Sequence, residues 1–165
     1  MSKSEMDSLG SPRVLFGGET SGSIAALLER AMSSYADTQQ AETLLWQAQR
    51  MDQNALPVYF SLYKFYFYKG NLEQAELVTR MALLSAAMQG GFNADWRSLQ
   101  ADTADWQCFD GPAHFYLFSM KALAFIRLRR GDFEETSAIL AKMAEIDPGD
   151  SVGASVIRTY AEGAI

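Results

Sequence analysis

The chain has 165 residues, with 14 Lys+Arg against 20 Asp+Glu, one cysteine and one histidine. That length suits one domain with a real core and is short for two. A formal charge of −6 argues against broad nucleic-acid binding, which needs a basic surface to displace counterions. The lone Cys108 and His114 exclude an internal disulfide framework, a cysteine-built zinc site and most His-dependent catalysis.

Apolar residues make up 48% of the chain and charged residues 21%, the balance of a globular protein. No apolar run reaches the roughly 18 to 20 residues of a membrane span. The first twenty residues carry no h-region, so the expected location is cytoplasmic. Residues 1–20, rich in Ser, Gly and Asp, read as a flexible tail in which Val14-Leu15-Phe16 can tuck against the body. Residues 21–165 read as a single domain.

From Ile24 onward helical periodicity runs almost unbroken. Ile24, Leu27, Leu28 and Ala31 recur at steps of three and four, as do Ala41, Leu44, Leu45, Ala48 and Met51. Tyr59, Leu62, Tyr63 and Tyr66 follow, then Ala75, Val78 and Ala82. Leu117, Met120, Leu123 and Ala124 form a later run, and Ile139, Leu140, Met143 and Ile146 the last. β-Branched residues never alternate over a strand length, so an all-α fold is expected.

Three helix starts share one pattern: Asp37-Thr-Gln-Gln40, Asn71-Leu-Glu-Gln74 and Asp132-Phe-Glu-Glu135. Each opens with a side chain able to accept from an exposed backbone N–H and has Gln or Glu three residues on. Gly70 and Gly131 precede two of them and suit the left-handed residue that closes a helix. Pro112 marks a further start, and Asp147-Pro148-Gly149-Asp150 a stop.

Asp37 and Asn71 lie 34 residues apart; Asn71 and Asp132 lie 61 apart, the same period lengthened by a 27-residue insertion. The units are therefore 22–55, 56–89 and 117–150, with the insertion at 90–116 and a capping helix at 151–162. The insertion holds Trp96, Trp106, Phe92 and Phe109, more aromatics than a disordered linker carries. It is expected to be an ordered loop pinned to the helices, acting either as plain packing or as a wall at one end of a groove.

A 34-residue helix–turn–helix period resembles the tetratricopeptide repeat. The third unit is most similar, through Ala122-Leu123-Ala124, Arg130-Gly131-Asp132-Phe133-Glu134-Glu135 and Ala144-Glu145-Ile146-Asp147-Pro148. Tyr59, Leu62, Tyr66, Gly70, Ala75 and Ala82 carry the likeness in the second unit, and Leu28, Ala41, Leu45 and Ala48 in the first. Departures are Thr136 and Met143 for alanine, Arg127 for a large aromatic, Tyr63 for a small residue, and Gln53 and Ala87 for the terminal proline. The resemblance implies a right-handed α–α superhelical solenoid of three units, each screening its neighbour's apolar flank.

It also implies a protein-interaction module that holds a peptide or protein segment on a concave face built by the first helix of each unit. The expected face is Ser23, Ala26, Leu27, Arg30, Ser33 and Ser34; Pro57, Phe60, Ser61, Lys64, Phe67 and Tyr68; and Phe118, Lys121, Ala122, Phe125, Leu128 and Arg129. These positions carry four bases and no acid. Phe60, Phe67, Tyr68 and Phe125 would offer apolar area, while Arg30, Lys64, Lys121 and Arg129 would meet carboxylates on a partner with acidic and apolar residues. The family's chaperone-tail carboxylate clamp is absent, because Ala26, Arg30, Ser61, Phe118 and Ala122 stand at its positions. Bacterial secretion chaperones of three such repeats are similar in size.

The alternative is a self-associating scaffold, suggested by the strip Tyr59 to Tyr68, apolar on nearly every side. Catalysis finds no support: Gly17-Gly18 and Gly90-Gly91 lack a strand–helix context, and Glu134-Glu135 reads as a helix start. Asp95, Asp102, Asp105 and Asp110 near Cys108 and His114 read as turn formers, so no metal and no cofactor is expected. His114, just after Pro112, is expected at the surface or boundary.

Overall fold

The computed structural model describes residues 20–163. The tail expectation for residues 1–19 lies outside them. Seven helices follow in order: α1 (Gly22–Ser33), α2 (Thr38–Met51), α3 (Leu56–Tyr68), α4 (Leu72–Gly90), α5 (Pro112–Arg129), α6 (Phe133–Ile146) and α7 (Ser155–Gly163). A single 3-10 turn, Trp96–Ser98, lies between α4 and α5, and no strand occurs among the described residues.

Local chemistry sets the boundaries. Asp37, Asn71 and Asp132 each accept from the backbone N–H three residues on, at 3.1, 3.2 and 2.9 Å. Gly70 and Gly131 sit at φ +76° and +82°. Behind them the N–H of Asn71 returns to the Tyr66 carbonyl and that of Asp132 to the Arg127 carbonyl, both at 2.9 Å. One helix is thus closed by a left-handed glycine and the next opened by the adjacent side chain, at both the α3–α4 and the α5–α6 turn.

α5 begins at Pro112, the start expected from the sequence, so the helix extends five residues ahead of the repeat bound at 117 through the buried run 113–116. One boundary differs from expectation. α7 begins at Ser155 rather than 151. Asp150 and Gly153 adopt positive φ, and the Asp150 carboxylate takes both the hydroxyl (2.5 Å) and the N–H (3.2 Å) of Ser155.

The helices pack pairwise, α1 on α2, α3 on α4 and α5 on α6, and α4 against α5 is the broadest contact of all. α3 and α5 are the central rods. Fifteen of the eighteen residues of α5 are buried, beneath α4, α6 and α7. On α3, Val58 to Phe60, Leu62, Tyr63 and Phe65 to Phe67 are all buried within the chain. Most of the aromatic strip is therefore accounted for by the chain's own core, and Ser61, Lys64 and Tyr68 are its half-buried members. Ala41, Ala75 and Ala82 are fully buried and let backbones approach.

Tyr66 spans from α3 to α2. Its hydroxyl donates to Glu42 (2.5 Å) and accepts from the Trp46 indole (2.7 Å). Burial first, and the hydrogen-bonded Glu42 carboxylate next, push it up to about 12. Burial also pushes the Tyr63 and Tyr116 hydroxyls well above the ordinary value. A raised tyrosine stabilises the fold below its unfolded value of 10 and loses that contribution as pH rises through the folded value. The urea midpoint is expected to hold to about pH 10 and then to fall, more gently in Tyr66→Phe. Urea titrations between about pH 9 and 12 check this; a Tyr66→Phe slope equal to wild type would contradict it.

Arg127 fills the junction of α4, α5 and α6 with charge. It meets Glu76 at 3.0 Å, Glu135 at 2.6 Å and, very closely, Asp132. Arg80 bridges Glu76 (2.8 Å) and Glu135 (3.1 Å), and Arg130 reaches Glu76 at 2.6 Å. Arg97 of the insertion touches the same cluster through Glu135, at 3.7 Å.

The insertion is ordered. Phe92, Trp106 and Tyr116 form a three-ring cluster with centroids 5.1 to 6.4 Å apart. The Trp106 indole donates to the Gln100 carbonyl (3.1 Å), Tyr116 to that of Ala94 (2.6 Å), and Lys142 of α6 to that of Leu99 (2.8 Å). Phe109 is the exception among its aromatics, 59% exposed.

Candidate interaction groove

Between α1 and α3 lies an open groove of about 550 Å3. Leu28, Ala31, Met32 and Tyr35 line it from the α1 side, Phe60, Ser61, Lys64, Phe65 and Tyr68 from α3, and Leu45 of α2 from below. Its floor is apolar. Its rim carries Met32, 75% exposed, and Tyr35, half-exposed. The Lys64 ammonium stands 5.5 and 5.6 Å from the ring centroids of Phe60 and Tyr68, within cation–π range.

Tyr35 at the rim is tied to the end of α3. Lys69, 34 residues on, donates to the Tyr35 carbonyl (2.7 Å) and sits 3.9 Å from its ring centroid. The Tyr35 ring also meets Phe65 edge-on at 6.0 Å. Gln89 and Ser85 make the corresponding link at the other end, to the carbonyls of Asn54 (2.9 Å) and Gln53 (3.4 Å).

Of the eight expected contact residues, Phe60, Lys64 and Tyr68 line this groove. Arg30 is exposed on α1 outside the lining. Phe67 and Phe125 are buried against one another, centroids 5.0 Å apart, and α7 closes over them by stacking Tyr160 on Phe125 at 5.7 Å. Arg129 is exposed, with its guanidinium 5.8 Å from the Phe67 centroid. Lys121 is a correction: it is 5% exposed and donates to the Val152 carbonyl at 3.0 Å. Burial lowers its pKa, against the nearby Asp150 carboxylate, which raises it. The segment leading into α7 covers it, so it lies inside the molecule.

Met32, Tyr35, Leu28 and Phe65 were missed. A groove between neighbouring rods is lined by their facing flanks, not by the same face of each. The α1 side is therefore the 28–31–32–35 flank, out of phase with the equivalents of Phe60 and Lys64. No residue of the insertion lines this groove; Asp110 and Gly111 instead join Pro112 at a smaller cavity of about 250 Å3 by the starts of α1, α3 and α5.

His114 is a second correction. It is 4% exposed, because Phe109 (5.2 Å) and Phe118 (5.0 Å) meet its ring edge-on from either side. Burial lowers its pKa, opposed by Asp147. Cys108 is exposed, its thiol 3.2 Å from the Asp110 carboxylate. Among the described residues, no three His, Cys, Asp or Glu side chains group to hold a metal ion. No described helix is long and apolar enough to cross a membrane.

These features define an all-helical protein with paired, neighbour-packed helices and an apolar inter-helix groove. The chain is similar to an uncharacterised 19.8 kDa protein from the nifW 5′ region of Azotobacter chroococcum mcd 1, 29% identical over 119 residues. The match covers 71% of this chain and 67% of that relative. No protein-family model matches the chain, and no solved structure matches it.

Proposed function

We propose that this chain is a tetratricopeptide-type interaction module, three units stacked as a right-handed superhelix, that holds a segment of another protein between α1 and α3. It acts by binding and not by catalysis, as a cytoplasmic adaptor, assembly factor or chaperone. The observation that carries the reading is the groove itself, an open apolar trough with a ring-framed ammonium. An apolar side chain suits its floor, and a carboxylate on the same segment suits Lys64. The identical closures at Gly70 and Gly131 and the 34-residue tie from Lys69 to Tyr35 support the repeat architecture. The similar Azotobacter protein comes from the nifW 5′ region, so the proteins encoded beside this chain's own gene are the first partners to try.

Selection of a displayed random peptide library on the immobilised chain, followed by calorimetry, tests the proposal. Enriched peptides should pair an apolar residue with Asp or Glu. Lys64→Glu should weaken them about tenfold or more, and added salt should weaken wild-type binding. Absence of any enriched pattern, or equal affinity in Lys64→Glu, would reject the groove.

A further inference from the structure

The outer face of α4 carries an apolar seam that the groove does not use. Leu77, Met81, Leu84 and Met88 follow at steps of four, three and four. At 100° per residue they fall within about 60° of arc, the a/d spacing of a two-helix seam. Leu77 is 51%, Leu84 52% and Met88 74% exposed, and Met81 is partly buried beside them. Isolated exposed leucines are ordinary, whereas four aligned apolar side chains on the longest described helix form one continuous apolar seam.

We propose that this seam joins two copies of the chain, α4 against α4, antiparallel about a twofold axis. The pattern is its own complement. Turned about a point between Met81 and Leu84, Leu77 faces Met88 and Met81 faces Leu84, so every contact is a Leu–Met pair. An isologous interface requires that self-matching; a heterologous partner does not.

Charge permits it in a chain of formal charge −6. Gln74 and Ser85 flank one side of the seam and Glu73 and Arg80 the other. Arg80 is held between Glu76 and Glu135 and brings little net charge. The seam spans about 16 Å of helix and would bury on the order of 400 Å2 per copy, about half a standard patch, so the expected dimer is a weak one. No α4 residue lines the α1–α3 groove, so the dimer presents two grooves.

Sedimentation of the full chain from about 1 to 500 µM tests this. Mass should rise from one copy toward two. Leu84→Glu and Met88→Lys, both at exposed positions, should remain monomeric with an unchanged helical signal and melting curve. In a Cys108→Ser background, a spin label at Glu73→Cys should report pairs about 30 Å apart; parallel pairing would place them within about 15 Å. A wild-type monomer throughout, a dimer that survives Leu84→Glu, or the short label distance each overturns the proposal. Leu84→Glu should bind groove peptides as wild type does, and Lys64→Glu should dimerise as wild type does, so this seam and the groove fail separately.

Discussion

Replacing Trp106 with alanine is expected to lower the unfolding free energy by about 3 to 5 kcal/mol, the range for a buried aromatic truncated without collapse of its site. Trp106 is 3% exposed and lies against Phe92 and Tyr116. Tyr116 is fully buried on α5, and Phe92 follows the left-handed Gly91 that ends α4. Removing the indole opens a cavity beside the broadest helix–helix contact in the molecule and releases the Gln100 carbonyl. The Gly90 backbone lies so close to the Phe92 ring that even a methyl group there would overlap it. Urea unfolding followed by far-ultraviolet circular dichroism measures the loss. Limited proteolysis should cut the insertion first. A cost under about 1 kcal/mol would mean that the insertion is an appendage of the core and not part of it.

Glu76→Gln is expected to cost about 3 kcal/mol near neutral pH, the lower end for breaking a buried ion pair. Glu76 is 9% exposed and takes three guanidiniums, from Arg80, Arg127 and Arg130. Glutamine keeps the volume and leaves those cations with only Glu135 and Asp132. Burial pushes the Glu76 carboxyl up, but the Arg80 and Arg127 hydrogen bonds and charges outweigh it and hold it below its usual 4.5. A depressed carboxylate stabilises the fold above its unfolded value and loses that contribution as pH falls through the folded value. The gap between wild type and Glu76→Gln should therefore be widest above about pH 5 and close on acidification. Urea midpoints from about pH 2 to 7 check it, and a gap independent of pH would assign the loss to packing.

Helix existence and most helix ends were legible in the residues because they depend on contacts within one turn. Asp37, Asn71 and Asp132 bond three residues ahead, and Gly70 and Gly131 meet a backbone demand that few other residues satisfy. α7 was displaced by four residues because a cap with positive φ at Asp150 has no comparable signature in composition. The groove was half legible. Phe60, Lys64 and Tyr68 were found from the phase of one helix, while Met32 and Tyr35 depended on how α1 turns toward α3.

The residues by themselves determined an all-helical chain cut at repeated caps, since a side chain and the N–H groups one turn away meet whatever the rest of the molecule does. Tertiary structure alone decided which of two chemically similar lysines lies inside: Lys121 is covered by the Val152 carbonyl and Lys64 lines the groove. It also decided that Arg127 joins three helices through carboxylates and that α4 keeps an apolar flank outward. The reason is geometric. Helical periodicity orders side chains around a rod, but which sector is buried depends on the angle and offset at which distant rods cross, a sum over many weak contacts that no single stretch of sequence contains.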